Sequence, residues 1–485
     1  MNQAAALNLE NLQNYIIEVM DRWKVPGLSV AIVKDGATVL AEGYGTREVG
    51  RHQPVDGRTL FAISHGTASF TASALAILVG EEKLRWNDRL IDLLPGFKTG
   101  SDLVTHYVTI IDVLANRSGL AAEPLSCLPH PDLSRTELLG KIKYIQSASD
   151  FRSQWGGDYL LTLAVGEIIP ELTGISWDDF VRDRLFVPIG MKDSITGPHL
   201  FGDNQNIAMP HEAEEGDVIP VQHAQTSNIG PAMSIYSSAV DMAKWLSVQL
   251  NNGKIGDKII IPKEGIDVMR TGHIAANFNF AGIAKNFLNQ GLGLYISDSS
   301  MGYKLYSNGG GTEGTESYHA FLPELNLGVA VMTNCGVALP QRLVAWIIDR
   351  YTGAPDRDWV NDILPVFEKR HETFLSGLAI NREKITDHSK RPSQSIEAYE
   401  GLYQHPLLGN LVVEIIADGL TFTLGSSYQG HLIHANHDTF FIEIKMPHVG
   451  KYFFNGPAQF RLDSTGQISS LRVMDREFQK VGAGL

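Results

Sequence analysis

Cysteine is scarce in this chain of 485 residues, where only Cys127 and Cys335 occur. Because two such distant cysteines make no disulfide framework, we expect a reduced, cytoplasmic protein. Long apolar stretches are also missing, since no run reaches the ~18 residues that cross a bilayer. The first 15 residues lack the basic and apolar regions of a signal peptide. These absences argue against a secreted or membrane-spanning protein.

Positive charge is in short supply as well. Lys and Arg total 40 against 54 Asp and Glu, which leaves a formal net charge of −14. A surface of this sign repels nucleic acids and anionic membranes. We therefore expect neither as a partner, and the composition leaves the oligomeric state open.

The composition is typical of a globular protein, with 44% hydrophobic and 19% charged residues. The length suits two domains. A polar segment in which Ser and Pro cluster begins at Glu383 and ends at Gln394. This composition is typical of a linker. We therefore place one domain at residues 1–382, a linker at 383–394 and a smaller domain at 395–485.

Hydrophobic periodicity changes along the chain and assigns secondary structure to both parts. The first part contains predicted helices and strands at Leu9–Met20, Leu28–Val33, Thr38–Ala41, Ser69–Leu84, Leu160–Leu172, Ala239–Leu250 and Leu325–Thr333. After the linker come short predicted strands at Leu411–Ile416, Leu420–Leu424, Phe440–Lys445, Lys451–Phe454 and Leu471–Met474. Short strands separated by turns predict a small antiparallel barrel or sandwich.

Several short stretches occur in the order and spacing of a known family. They are Phe61-Ala62-Ile63 with Ser69–Ala72, Thr109–Leu114 with Ser118-Gly119-Leu120, Pro188–Met191, Pro231-Ala232 with Ser237–Ala243, and Gly309–Gly314 with Thr333-Asn334. Together they resemble the group of class C β-lactamases, penicillin-binding proteins and esterases. The resemblance implies an α/β (α+β) fold, in which an antiparallel sheet is flanked by helices and joined by a helical lobe. The last part resembles the β-rich domain that some members carry.

The chemistry of that family depends on a serine nucleophile with a lysine one turn later on a helix, in a Ser-x-x-Lys motif. Here the serine position falls on His65 and the lysine position on Ala68. A slip of one residue puts Ser64 first and Thr67 in the lysine place, which restores a hydroxyl but no base. No register yields Ser-x-x-Lys, so we predict that serine acyl transfer by the family route does not occur.

The two other motifs of the family also depart from its pattern. The Tyr-x-Asn motif falls on Gly157, Asp158 and Tyr159, unless a two-residue deletion makes Tyr159 the family tyrosine. The Lys/His-x-Gly motif reads Asn308-Gly309-Gly310, and an amide cannot titrate. Three positions that resemble catalytic ones have thus lost their titrating groups together.

From these positions we select candidate site residues. The catalytic candidates are His65, Tyr159 and Asp158, because an imidazole, a phenol and a carboxylate can move protons. The substrate-binding candidates are Asn308, Ser64, Glu313, Glu316 and Trp155. Five of them have a structural alternative: His65 fills the pocket floor, Asp158 is a helix N-cap, Tyr159 lines an aromatic wall, and Glu313 and Glu316 are solvated edge residues.

Three functions remain open at this point. We expect a cofactor-free, metal-free enzyme that acts on a small organic substrate by non-hydrolytic acid/base or shape-based catalysis, such as an isomerase, lyase or cyclase. One alternative is a pseudoenzyme that binds a ligand or partner. The other is a hydrolase or acyltransferase with a rebuilt nucleophile. Fold alone does not choose among them, because function resides in the site.

Overall fold

A computed structural model of the protein describes residues 9–128, 130–157, 159–214, 217–276, 286–387, 389–416, 419–444 and 456–481. The chain divides into two compact units. The first combines the chain up to Ala122 with Ile145–Leu364, and the second combines Glu123–Tyr144 with the chain from Pro365 onward. The linker predicted at 383–394 therefore lies inside the second unit, whose long helix runs over Leu364–Ile385.

An antiparallel sheet forms the centre of the first unit. Its two most buried strands, Gly27–Lys34 and Leu327–Thr333, are rich in β-branched and apolar residues, and they pair over their full length. In spatial order, the eight strands within the described residues are Ala37–Gly45, Gly27–Lys34, Leu327–Thr333, Thr315–Leu322, Lys304–Thr312, Tyr295–Asp298, Leu288–Gln290 and Ile274–Ala275.

Helices cover both faces of this sheet. On one face, Leu246 of a helix packs against Gly328. On the other face, Tyr15 and Trp346 from two helices stack with their ring centroids 4.1 Å apart. The helices of the described chain are Leu9–Arg22, Thr67–Gly80, Leu90–Leu93, Asp102–Tyr107, Ile110–Leu114, Arg135–Lys141, Tyr159–Thr173, Trp177–Val181, Val187–Ile189, Gly230–Met233, Ala239–Leu250, Lys263–Met269, Leu339–Thr352 and Leu364–Ile385.

Three short strand pairs complete the secondary structure of the first unit. They are Phe61–Ala62 with Tyr236–Ser237, His211–Glu214 with Asp217–Pro220, and Lys254–Ile255 with Lys258–Ile259. Within the described ranges no single helix is long and apolar enough to cross a membrane; Tyr159–Thr173 and Trp177–Ile189 meet that criterion only together, as a pair bent by 83°. Cys127 and Cys335 are both buried, and neither forms a disulfide within the described residues.

The second unit contains a closed antiparallel barrel. Its strands are Gly401–His405, Gly409–Ile416, Gly419–Leu424, Tyr428–Asn436, Thr439–Ile444, Gly456–Leu462, Ile468–Val473 and Arg476–Lys480. Buried aromatic rings fill its interior, as the edge-to-face contacts of Tyr399 with Phe440 and Phe460 show. The predicted strand Lys451–Phe454 lies outside the described residues.

Residues Glu123–Tyr144, which leave the first unit and return to it, belong to this second unit. His130 Nε2 shares a 2.5 Å hydrogen bond with the backbone oxygen of Leu408 in the barrel. Ser426 donates to the Asp132 carboxylate at 2.8 Å. The sequence predicted no such association, because hydrogen bonds between residues almost 300 positions apart leave no local pattern.

The predicted fold class is confirmed: a sheet flanked by helices is followed by a small antiparallel β domain. The helix predicted at Ala239–Leu250 has these same bounds, and the one predicted at Leu160–Leu172 extends over Tyr159–Thr173. The helix predicted at Ser69–Leu84 begins earlier, at Thr67, and ends at Gly80. Buried apolar runs are visible in the sequence, whereas helix ends depend on single backbone conformations.

Candidate active site

The turn that carries His65 enters the most buried helix of the first unit. Ser64–Gly66 form a single 3₁₀ turn directly before the helix Thr67–Gly80. Ser64 has a φ of +47°, a left-handed conformation that costs a non-glycine residue energy. Such strained positions cluster at functional sites. The turn therefore presents His65 from a backbone that the surrounding core holds in place.

His65 meets Tyr159, the first residue of the helix Tyr159–Thr173. The Nε2 atom of His65 and the hydroxyl of Tyr159 share a hydrogen bond of 3.1 Å. Their ring centroids lie 5.5 Å apart. Burial lowers the pKa of His65 from 6.5 to about 4, so the imidazole is neutral near pH 7. The pair thus joins a neutral base to a phenol.

The other edge of the His65 ring lies against Gly310 on the strand Lys304–Thr312. A Cβ atom at Gly310 would lie only 2.3 Å from His65 Nδ1, and the glycine has a φ of +151°. Only glycine combines this conformation with so close an approach. The strand therefore fixes the ring so that Nε2, and not Nδ1, points to Tyr159.

Part of the same strand keeps a free edge. Tyr295–Asp298 pairs with it only as far as Ser307. Beyond that point Asn308–Thr312 pair with the strand on the other side, and the described residues place no strand on the open side. This edge runs past His65 and offers backbone hydrogen-bonding groups to a ligand.

Asn308 supports the turn of His65. Its Nδ2 atom donates to the backbone oxygens of His65 at 3.1 Å and of Gly293 at 2.8 Å. Its Oδ1 atom accepts from the N–H of Gly309 at 2.7 Å. The sequence suggested a substrate contact for Asn308, but its two amide hydrogens are bonded to backbone. We therefore assign it to positioning His65.

Gln290 and Asn116 form hydrogen bonds with the residues that precede Tyr159. The Nε1 atom of Trp155 donates to Gln290 Oε1 at 3.0 Å, and the N–H of Gly156 donates to the backbone oxygen of Asn116 at 2.7 Å. Trp155 is therefore fixed near the start of the Tyr159 helix, which is compatible with its predicted contact to substrate. Asp158 lies outside the described residues.

Asp112 connects two of the segments that precede Tyr159. Its fully buried carboxylate accepts from Arg117 Nε at 2.8 Å, and from Arg152 Nε at 2.8 Å and Nη2 at 2.7 Å. Burial acts to raise the pKa of Asp112, but the donors Arg152, Thr109 and Arg117 outweigh it and lower that pKa. One carboxylate thereby joins the loop after residue 114 to the loop that leads to Tyr159.

The hydroxyl groups around the helix start are not activated by a base. Ser64 is fully buried, and its Oγ has no hydrogen-bond partner among the described residues. Thr67 Oγ1 accepts from the N–H of Ile235 at 3.1 Å, and Ser69 Oγ donates to the backbone oxygen of Gly66 at 2.7 Å. Being buried, Ser64 does not meet a ligand in this arrangement, contrary to its predicted substrate contact.

Glu316 lies on the wrong face of the sheet for the predicted role. Alternate residues of a strand point to opposite faces. Ser317 donates to the backbone oxygen of Ile63 at 2.8 Å and so faces the His65 turn, whereas Glu316 accepts from Gln341 on the opposite side. Burial raises the pKa of Glu316 to about 8. A substrate contact of Glu316 beside His65, which the sequence suggested, would need the side chain on the other face of the strand.

Glu313 occupies the tight turn between the strands Lys304–Thr312 and Thr315–Leu322. It is 9% exposed, so it is not the solvated edge residue that the sequence left open as an alternative. Burial, and after it the carboxylate of Glu313, raises the pKa of Tyr236. This places Glu313 near Tyr236, at the end of the open strand edge.

The sequence reasoning missed His319 and Gly310. A Cβ atom on Gly66 would lie 3.3 Å from His319 Cε1, so this second imidazole packs directly behind the His65 turn. Its Nε2 atom has no hydrogen-bond partner within the described chain, and burial lowers its pKa to about 4. A histidine two residues after Ser317 in an apolar strand is the signal that could have indicated it.

A separate cavity of about 280 Å³ lies between Asp178, Arg182 and Phe186 on one side and Ser194–Thr196 on the other. None of the predicted site residues lines it. In the part of the chain that the structure describes, no group of three or more His, Cys, Asp or Glu residues is arranged to hold a metal ion.

Gly310→Ala is expected to reduce turnover at least tenfold without unfolding the protein. The added methyl group must displace the His65 ring, and a misplacement of about 1 Å can cost ~10²-fold in rate. Circular dichroism and thermal unfolding would check the fold, and ¹H–¹⁵N spectra of the imidazole would check the ring. Gly302→Ala is the control, because a Cβ atom there meets nothing within 4 Å and its φ is also positive, at +82°. Unchanged turnover in Gly310→Ala would contradict the assigned position of His65.

The antiparallel sheet, with its strand Lys304–Thr312 beside the start of the helix Thr67–Gly80, defines the fold class of serine β-lactamases and penicillin-binding proteins. The β-lactamase family profile matches residues 12–354, and the chain belongs to this family. Residues 386–482 match a domain of unknown function, DUF3471. This second match covers the barrel strands.

Among curated proteins, the chain is 27% identical over 324 residues to "Penicillin-binding protein 4" of Amycolatopsis lactamdurans, which covers 65% of this chain and 82% of that protein. It is 23% identical over 430 residues to "Unguisins hydrolase ungD'" of Aspergillus campestris, covering 83% of this chain and 77% of that one. The suspected family is thereby confirmed.

Among solved structures, the octameric penicillin-binding protein homologue from Pyrococcus abyssi superposes with a TM-score of 0.65 at 21% identity, covering 98% of this chain and 100% of that one. The structure of SurE superposes with a TM-score of 0.56 at 17% identity, covering 97% and 98%. At these identities the likeness concerns the fold, which in both cases extends over the whole length.

Proposed function

We propose that this protein is an enzyme that transfers protons on a small organic carbonyl or hydroxyl compound, without forming an acyl-enzyme. The observation that carries the proposal is the 3.1 Å contact between His65 Nε2 and the Tyr159 hydroxyl. Isomerisation, elimination and cyclisation are all reactions that such a pair can catalyse. No cofactor is part of the proposal.

The chemistry of the pair follows from its protonation state. Because burial lowers the pKa of His65 to about 4, the imidazole is in its unprotonated form throughout the physiological range. The Tyr159 hydroxyl can donate to an oxygen of the substrate at the same time. A substrate that replaces the contact between the two rings therefore meets a base and a hydrogen-bond donor together.

The neighbouring backbone supports a charge that develops on oxygen. The edge of Asn308–Thr312 passes the His65 ring, and apart from the N–H of Gly309, which is bonded to Asn308 Oδ1, its backbone groups can interact with a substrate oxygen that becomes negative. Asn308 keeps the His65 backbone in place during this step. A substrate with a carbonyl or hydroxyl oxygen can interact both with the His65–Tyr159 pair and with the strand edge.

A second candidate is hydrolysis in which His65 activates water directly. It is favoured by the name of one relative, a hydrolase of unguisins, which aligns with 83% of this chain. A neutral histidine beside backbone N–H donors can deprotonate water near a carbonyl carbon. Carrying out turnover in ¹⁸O-labelled water distinguishes the two candidates, because hydrolysis forms a new carboxylate that carries one labelled oxygen, whereas the proton-transfer reactions form none.

The first test concerns the absence of a covalent intermediate. We expect that incubation with a fluorescent penicillin or a fluorophosphonate, followed by intact-protein mass spectrometry, gives no stoichiometric adduct. The physical reason is that Ser64 is fully buried and that the position one turn after His65 is Ala68, which cannot act as a base. A penicillin-binding protein with its Ser-x-x-Lys motif serves as the positive control. Stable labelling of Ser64 or Ser69 would instead support a rebuilt nucleophile.

A further inference from the structure

We propose that the His65 pocket takes an uncharged carbonyl compound and excludes substrates that carry a carboxylate. This inference names the substrate class of the proposed function and rests on the location of that site. The observations that carry it concern the groups around His65. The most important are the residues at the two positions where the family has a basic side chain.

The first of these positions is Ala68. It lies one helical turn after His65 and is partly exposed. A methyl group there offers neither charge nor a hydrogen bond. An anion that approached His65 along the helix would find no counter-charge at this point, and Thr67 and Ser69 on either side use their hydroxyls for backbone contacts.

The second position is Asn308, whose amide has no hydrogen left for a ligand. Both Nδ2 hydrogens are bonded to the backbone oxygens of His65 and Gly293. A carboxylate accepts hydrogen bonds but cannot donate them, so it gains nothing from the amide in this arrangement. The strand therefore provides an open backbone edge without a side-chain donor.

Charged side chains around the site also disfavour the binding of an anion. Arg117 and Arg152 are committed to the buried carboxylate of Asp112. At the other end of the open edge stand carboxylates: Glu313 is buried in the turn, and Glu212 accepts from the N–H of Gly314 at 2.9 Å. An anion that leaves water for this pocket would lose its hydration without gaining a cation.

A neutral carbonyl compound meets none of these penalties. Its oxygen can accept from Tyr159 or from the strand edge, and its remaining surface can lie against Trp155 and Gly310. The loss of both basic positions thus favours ligands whose acyl group is an amide, an ester or a ring and not a free acid.

Benzylpenicillin and benzylpenicillin methyl ester provide a pair of probes that share one skeleton and differ in this charge and in the methyl group that removes it. Binding can be followed through the imidazole signals of His65 in ¹⁵N-histidine-labelled protein, with His65→Gln identifying those signals. We expect the ester to bind at least about tenfold more tightly than the acid, because an unpaired anion is costly to desolvate.

Restoring a basic side chain should reverse the preference. Asn308→Lys is expected to raise the affinity for the acid at least about tenfold, and Ala68→Lys provides the same test if the first variant does not fold. Gln53→Lys adds an identical charge at an exposed position and should change neither affinity. Equal binding of acid and ester by the unaltered protein, no binding of the ester, or failure of both folded lysine variants to recruit the acid would overturn the proposal.

These measurements report binding and not turnover. If His65→Ala retained full activity while the ester preference persisted, the proposed acid/base function would fail and the charge selectivity would stand. If His65→Ala lost activity while acid and ester bound equally, only the substrate class would be wrong.

Discussion

His65→Ala is expected to lower turnover by about 10²- to 10⁴-fold while the protein stays folded, because this is the contribution that a positioned general acid or base makes. Within the described residues the His65 side chain forms one hydrogen bond, to Tyr159, whereas the turn is supported by the bond from Asn308 to the backbone oxygen of His65. Removing the imidazole therefore removes the base and leaves the turn. Steady-state kinetics on an identified substrate would measure the effect.

Two further variants separate the roles within the pair. His65→Gln keeps hydrogen bonding but cannot titrate, and Tyr159→Phe keeps the ring but loses the hydroxyl. His106→Ala, which removes an exposed imidazole from a short helix, is the matched control and should be silent. If His65→Gln retained the rate of the unaltered protein, His65 would hold the substrate without accepting its proton, and equal rates in His65→Ala would end the catalytic assignment.

The pH profile gives an independent check of the same assignment. The pKa of His65 is lowered from 6.5 to about 4, so the neutral, proton-accepting form prevails above that value. The rate should therefore stay level from neutral pH down to about pH 5 and fall tenfold per pH unit well below pH 4. An acidic limb centred near pH 6.5 would show that the base is a solvated histidine and not His65.

Asp112→Asn is expected to destabilise the first unit by about 3 kcal/mol, the lower end of the cost of breaking a buried ion pair. The carboxylate is fully buried, while its partners Arg117 and Arg152 are 21% and 46% exposed and can recover part of their hydration. Urea unfolding would measure the change. Asp183→Asn, at an exposed ion pair with Arg182, is the control and should cost less than about 1 kcal/mol.

The ion pairs of Asp112 also make the stability of the protein depend on pH. Since the folded-state pKa of Asp112 is lowered, its stabilisation is complete above the ordinary aspartate pKa and is lost as the pH falls through the folded value. The unaltered protein should therefore lose stability in acid more steeply than Asp112→Asn. Because the Asp112 carboxylate holds the side chain of Arg152 in the segment that precedes Tyr159, the variant should in addition lower the rate. The same dependence of stability on pH in both proteins would contradict this role of Asp112.

How much of the candidate site was predictable depends on the residue. His65 and Tyr159 were selected from motif positions on two segments, and the structure brings them into contact. The roles of Asn308 and Glu316 were not predictable, since one depends on backbone oxygens at His65 and Gly293 and the other on which face of a strand its side chain takes. Such facts depend on strand pairing, which spacing along the chain does not contain.

The sequence by itself determined the elements with strong periodicity, such as the helix Ala239–Leu250, and the family to which the chain belongs, because buried runs and ordered motifs are local properties. It also predicted, from the resemblance to the family, that His65 and Ala68 stand at the serine and lysine positions of the Ser-x-x-Lys motif. Only the tertiary structure decided that the His65 ring lies against Gly310, that His319 packs behind the turn, and that Glu123–Tyr144 joins the barrel unit. Each of these contacts joins residues more than 200 positions apart, as the 243-residue separation of His65 and Asn308 illustrates. They form only when sheet register and helix packing bring distant segments together, and no pattern within either segment encodes them.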